Sequence, residues 1–324
     1  MSSHVVQYEL WRECNCKCTF CTLGYDNLHT DNSLKLQSLQ TAIDEIKEMK
    51  AGEHETLGFI GGEFFQGQLS TEELRAKWFE LMNLCNDVLN KDIVQTIWLN
   101  ASLLIGSQPD FYKTLDLFDK KNQVWVLTSF DTWGRFHTQK MFDTWEGHLE
   151  KIHTEYPDIK VNITSIITGD FINKFLNNEL DIHKYTKKYG YTIFLKNPVQ
   201  PLIEDDGVPN TYFNDILPNF FPKRNEMLKF FSKYMEMYGV DEYDRLISTD
   251  LRADEIRKNY NNDNQRNLRY TRNRETLQEF QEGDENLEAE IMECGHNDIY
   301  KSYIDSDKCI LCDKQFIRKA MGNV

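Results

Sequence analysis

The sequence predicts an α/β fold built on a parallel sheet, and three observations lead there. Short apolar runs of strand length alternate with amphipathic stretches of helix length about six times within residues 1–200. Apolar residues make up 40% of the 324, with 20 Phe and 15 Tyr, which is enough to fill a sizeable core. Two clusters of chemistry-bearing residues fall directly after the first two predicted strands, where α/β sheets gather their ligands.

In chain order, strands are predicted at 5–10, 56–60, 94–99, 124–130, 159–167 and 192–195. Helices are predicted at 38–49, where Leu39, Ala42, Ile43, Ile46 and Met49 form one stripe, and at 74–89, 110–118, 138–153 and 170–189. Ser70-Thr71-Glu72-Glu73 supplies the capping signature of the second helix. Strand, helix, strand in repetition implies crossover connections, but the pattern alone does not separate a doubly wound sheet from a barrel. After Pro198 the texture changes: Pro201, Pro209, Pro218 and Pro222 punctuate a loop-rich link, followed by a helix at 226–238 rich in Met, Phe and Tyr. Three regions follow: a sheet domain over 1–200, a helical and loop-rich connection over 201–290, and a small module over 291–324.

No run of about eighteen apolar residues exists, so a membrane span is excluded. A net charge of -15 disfavours broad binding to nucleic acid and keeps the chain dispersed in water. Eight clustered Cys with no secretory signal point to a reducing compartment, hence a cytoplasmic protein. The stretch 252–274 is locally basic, yet Asp254, Glu255 and Asp263 dilute it, and a solvated helix or flexible linker is expected there.

The informative stretch is Cys14-Asn15-Cys16-Lys17-Cys18-Thr19-Phe20-Cys21. Cys14, Cys18 and Cys21 stand in CxxxCxxC spacing, three thiolates on one loop, which suits three corners of a cubane iron-sulfur cluster. The fourth iron then lacks a protein ligand and is open to a small chelating molecule. A zinc knuckle is the alternative, though structural zinc wants four closed ligands. The second strand runs into Gly61-Gly62-Glu63, where glycines allow close backbone approach and a carboxylate can accept from an ammonium group.

On these two motifs the chain resembles the radical S-adenosylmethionine (SAM) superfamily, down to Asn15 after the first Cys and Phe20 before the third. The resemblance implies a partial (β/α)6 TIM-like barrel. It implies that Cys14, Cys18 and Cys21 hold a 4Fe-4S cluster whose free iron chelates SAM, with Phe20, Gly61, Gly62 and Glu63 around the methionine moiety. Cys16 departs from the family pattern, and a nonligand thiol is expected there. After the fourth strand, Ser129 and Asp131 are similar to a Ser-x-Asp element that lies near the SAM ribose and carboxylate, and Arg135 would pair with that carboxylate or with substrate. Asn100 stands where such enzymes often have Thr-Asn-Gly, with Ala101 replacing the Gly.

The C-terminal Cys294, Cys309 and Cys312 resemble a twitch module, a shortened SPASM domain that binds an auxiliary 4Fe-4S cluster. Asp307 departs from that module's usual Gly. Either that cluster also has an open iron, which could hold substrate, or a fourth ligand comes from His296 or Cys85, and zinc on Cys294, His296, Cys309 and Cys312 is the alternative.

The expected activity is reductive cleavage of SAM to a 5'-deoxyadenosyl radical, which takes a hydrogen atom from a small-molecule or nucleotide substrate. Asp131 and Arg135 are the candidate catalytic residues, and a flavodoxin or ferredoxin the expected electron donor. Peptide modification is the alternative; against it, the chain opens at the first strand with no room for a leader-binding module. A zinc-binding interaction protein without catalysis is the reading from another class.

Overall fold

The strand-like runs pair with one another in the order in which they occur along the chain. The structure, a computed structural model, describes residues 5–11, 13–19, 30–196, 222–239, 270–273 and 278–280. Six parallel strands, β1 (Val5–Glu9), β2 (Thr56–Ile60), β3 (Thr96–Asn100), β4 (Val124–Ser129), β5 (Lys160–Ile166) and β6 (Thr192–Lys196), lie side by side without a break in sequence order. A doubly wound sheet reverses its strand order at a switch point. Here there is no reversal, so right-handed crossovers place every helix on one side of the sheet, as in a partial (β/α)6 barrel.

Side-chain alternation fits that layout. Val6 and Tyr8, Leu57 and Phe59, Ile97 and Leu99, Val124 and Val126, Val161 and Ile163, and Ile193 and Leu195 are buried in one core cluster with the helices. On the opposite face Gln7, Gly58, Trp98 and Trp125 occupy one register row. The rings of Trp98 and Trp125 lie 6.3 Å apart. Gly58 makes room for them, since a Cβ there would meet Gln7 Cγ at 3.1 Å and Trp98 Cε3 at 3.8 Å.

The helices are α1 (Asn32–Glu48), α2 (Glu72–Asn90), α3 (Pro109–Asp116) and α4 (Gln139–Glu155). Helix α2 is capped as the sequence predicts, with Thr71 Oγ1 accepting from Leu74 N at 3.2 Å. Helix α1 starts earlier than its apolar stripe suggests, because Lys35 in its first turn is buried and ion-paired to Glu13 at 2.7 Å. The single helix expected over 170–189 is two, α5 (Gly169–Leu176) and α6 (Lys184–Tyr189). Asn178 adopts the left-handed conformation, φ 60°, just past the end of α5, and Asn is one of the few residues that tolerates it.

Helix α7 (Arg224–Tyr238) returns onto α5, with Phe230 and Phe175 rings 5.1 Å apart. Lys233 Nζ donates to the α5 C-terminal carbonyls of Phe175 and Leu176 at 3.1 and 2.8 Å. The sheet then gains β7 (Tyr270–Asn273), parallel to β1, and β8 (Gln278–Phe280), antiparallel to β7. This corrects the reading of 252–274 as solvated helix or linker: its described part is a strand, drawn in by the main-chain hydrogen-bonding edge that β1 presents. The connecting region 201–290 therefore adds strands to the sheet as well as a helix. Residues 291–324 lie outside the described residues. Among the described residues no helix is long and apolar enough to cross a membrane.

One buried titratable group makes the fold sensitive to acid. His148 of α4 donates from Nε2 to Gly106 O at 2.9 Å, so its Nδ1 accepts from the Tyr112 hydroxyl at 2.7 Å. Burial pushes its pKa below the usual 6.5, the Gly106 carbonyl pulls the other way, and the Lys151 cation adds to the depression. A lowered folded pKa means that the unfolded chain takes up the proton first. The stability is therefore complete above about pH 6.5 and is lost as pH falls below it. Urea midpoints measured from about pH 7 to 5 should decline in the wild type and decline less in His148→Gln.

Candidate functional site

At the C-terminal end of β1 the chain continues into the thiol loop while staying pinned to the segment that follows β2. Gly62 N donates to Trp11 O at 2.8 Å and Glu63 N to Glu13 O at 2.9 Å, extending the parallel pairing past the strand ends. Trp11, fully buried, returns the favour with its indole Nε1 on Glu63 O at 2.6 Å. Gly61, at φ 130°, lies at this junction. A Cβ there would sit 2.4 Å from Trp11 O, so the glycine serves close packing of two backbones. Phe59, Phe64, Phe65 and Trp78 pack around this junction, with Trp11 and Phe64 rings 5.1 Å apart.

Glu63 is 1% exposed and its carboxylate is held from four sides. Oε1 accepts from Phe64 N at 2.9 Å and Phe65 N at 3.0 Å. Oε2 accepts from Ser102 N at 2.8 Å and, through a very short contact, from the Ser102 hydroxyl. Burial pushes the Glu63 pKa up, and the Ser102, Phe65 and Phe64 donors pull against it without cancelling it.

The thiol loop is ordered by amide side chains. Asn15 Nδ2 donates to Gln66 O at 2.9 Å, and Gln66 Nε2 donates to Asn15 Oδ1 at 3.0 Å and to Cys16 Sγ at 2.9 Å. Gln66 Oε1 accepts from Leu104 N at 3.0 Å, so one amide ties together the loops after β1, β2 and β3. Cys14 is half-buried and its Sγ accepts from Cys16 N at 3.5 Å, the kind of N–H···S contact that lowers the charge density on a ligating sulfur. Cys18 is buried. Cys16 is buried too, with Ser102 Oγ 3.1 Å from its sulfur. A hydrogen bond with Cys14, burial and the Glu63 charge all push its pKa up, so it stays a neutral thiol.

The loop after β4 closes over the thiol loop from the other side. Thr19 N donates to Gly134 O at 2.7 Å, and His137 Nε2 donates to Lys17 O at 2.8 Å. Phe130 and Phe136 anchor this loop on buried Trp145, at ring distances of 5.7 and 5.5 Å. Arg135 Nε donates to Asp131 Oδ2 at 2.6 Å, while Asp131 Oδ1 accepts from Ile166 N at 2.9 Å. Burial works against the Arg135 charge, but attraction to Cys18 and Asp131 more than restores it, and its pKa is raised.

The chain is similar to Streptococcus suis SuiB, whose crystal structure was determined with S-adenosylmethionine bound. The likeness covers 60% of this chain and 40% of that chain, at 12% identity and a TM-score of 0.39, so the match spans less than half of SuiB. No protein-family profile and no curated protein matches the chain.

Of the sequence-predicted residues, Cys14, Cys18, Gly61, Gly62, Glu63, Asp131 and Arg135 are thus brought to one end of the sheet. Asn100 and Ser129 are the last residues of β3 and β4 at that same end. Phe20 and Cys21 lie outside the described residues, as do Cys294, His296, Cys309 and Cys312. Among the described residues no three His, Cys, Asp or Glu converge as a metal site. Cys85 is fully buried in α2, far into the core cluster, and burial pushes its thiol pKa up, which fits an inert thiol. Sequence reasoning missed Trp11, Gln66 and Ser102. The available signal was a Gln directly after Phe64 and Phe65, and a Ser directly behind Asn100 and Ala101.

Proposed function

We propose that this chain is a radical SAM enzyme, and the observation that carries the reading is the meeting of three segments at one sheet end. The thiol loop is hydrogen-bonded to Gly61-Gly62-Glu63 on one side and to the Asp131–Arg135 loop on the other. The residues fit an anionic cluster: Cys14 and Cys18 are on the loop, Cys21 completes the spacing, a main-chain N–H serves Cys14 Sγ, and a buried guanidinium is attracted to Cys18. When bound, such a 4Fe-4S cluster supplies one electron to the SAM sulfonium, leaving methionine and a 5'-deoxyadenosyl radical that takes a hydrogen atom from substrate.

The chain's own residues do the rest. Glu63 presents a buried carboxylate to the methionine end, Asp131 orients Arg135, and the packing of Phe130 and Phe136 on buried Trp145 holds that loop in place. Asn100 and Ser129 lie at the strand ends where the nucleoside moiety is expected. A small molecule or nucleotide is the proposed substrate class, with a flavodoxin or ferredoxin as electron donor and a C-terminal auxiliary cluster on Cys294, Cys309 and Cys312.

Anaerobic reconstitution tests this directly. The protein should bind iron and sulfide, absorb as an iron-sulfur protein and, with SAM and dithionite, form 5'-deoxyadenosine; Cys18→Ala should form none. Zinc without sulfide, or 5'-deoxyadenosine from the Cys18→Ala variant, overturns the reading.

A further inference from the structure

The four contacts on Glu63 raise a question of capacity. An ionised carboxylate offers roughly four lone-pair sites. Two on Oε1 are taken by the main-chain N–H groups of Phe64 and Phe65, and two on Oε2 by the main-chain N–H and the hydroxyl of Ser102. An amine N–H arriving at this carboxylate therefore finds no free acceptor. Three of the four donors are main-chain groups fixed by the loops themselves. The fourth is a hydroxyl, which can rotate about one bond.

That hydroxyl has somewhere to go. Ser102 Oγ lies 3.1 Å from Cys16 Sγ, within hydrogen-bond reach of the sulfur. Cys16 is buried and held in place by Gln66 Nε2 at 2.9 Å, so the alternative acceptor is fixed. We propose that the Ser102 hydroxyl is a displaceable donor. It occupies the last lone pair of Glu63 until an N–H of a primary amine takes that place, then turns to Cys16 Sγ. This rests on the radical SAM reading for the identity of the ligand, the aminocarboxylate end of SAM. It assigns Ser102 and Cys16 a part in selecting ligands that carry an amine, and gives a role to a thiol the metal-ligand spacing leaves over.

The sign of the effect is what makes the idea testable. Removing the hydroxyl leaves one lone pair of the buried Glu63 Oε2 without a donor in the free protein, with only the Ser102 N–H remaining on that oxygen, while the complex with an amine ligand loses only a weak O–H···S contact. Ser102→Ala should then bind SAM more tightly than wild type, by about fivefold or more, because the free state is the one destabilised. Ser102→Thr, which keeps the hydroxyl, should behave as wild type. Cys16→Ala, which removes the landing place, should weaken SAM binding several-fold.

Equilibrium dialysis of the cluster-reconstituted full chain reads this without turnover, with SAM and a desamino analogue of SAM as probes. The analogue lacks the amine, so neither Ser102→Ala nor Cys16→Ala should change its affinity. Equal or weaker SAM binding by Ser102→Ala, or the same shift for both ligands, overturns the proposal and leaves the cluster reading intact. Should Ser102→Ala fail to fold, the Cys16→Ala comparison of the two ligands decides in the same way. A reconstituted wild type that binds neither ligand removes the radical SAM reading and this proposal together.

Discussion

Gly61→Ala should cost at least about 3 kcal/mol of folding stability, far more than the same change at any exposed glycine. Two effects combine. At φ 130° the backbone lies where an L side chain is strained, worth about 1–3 kcal/mol on its own. The new Cβ would also lie 2.4 Å from Trp11 O and 3.4 Å from Trp11 C, main-chain atoms that no rotamer change can move. Relief requires the two segments to separate, which breaks the Gly62 N–Trp11 O and Trp11 Nε1–Glu63 O hydrogen bonds together. Gly67→Ala is the control: φ is 101°, with nothing within 4 Å of a Cβ, so it carries only the backbone strain. Urea midpoints at constant m-value compare them. Equal losses in the two variants would mean that close approach of Trp11 contributes nothing, and the description of Gly61 as a junction would be wrong.

Much of this arrangement is readable from the sequence because it is local. Strands announce themselves by apolar runs, Thr71 caps its helix at the predicted place, and the thiol and Gly-Gly-Glu motifs fall directly after strand ends. The choice between a doubly wound sheet and a barrel-like order is not local. It depends on which strand lies beside which; the apolar pattern leaves it open, and the strand order agrees with the partial barrel that the resemblance implies. The break between α5 and α6 had a signal in Asn177 and Asn178, either of which tolerates the turn past a helix end. Strand β7 had none of that kind, since its partner is β1, more than 250 residues away.

The site divides along the same line. Cys14, Cys18 and Glu63 carry a spacing that can be read, whereas Ser102 and Gln66 matter through contacts made across 39 and 50 positions of chain. Asp131 shows how a correctly chosen residue can still have its partners hidden: it locks the end of β5 through Ile166 N and holds Arg135, neither visible in a Ser-x-Asp pattern.

That lock leads to the second large effect. Arg135→Leu should destabilise the fold by about 3–5 kcal/mol, because it leaves the Asp131 carboxylate, 1% exposed, without its charged partner. Asp131→Asn should also be costly, stranding a guanidinium whose side chain is only 14% exposed. The double variant Arg135→Leu with Asp131→Asn removes both charges, while the Asn carbonyl still accepts from Ile166 N. Its loss should fall short of the sum of the single losses by about 1–3 kcal/mol, the coupling expected of residues in one buried network. Additive losses would deny that the pair acts as a unit. The same three proteins separate folding from chemistry. If Arg135 also offsets the charge of a thiolate-bound cluster, the double variant should recover stability yet retain less iron and sulfide on reconstitution than the wild type. Full cluster retention in the double variant would confine Arg135 to the fold, because stability and cluster binding would then have been restored by the same neutral pair.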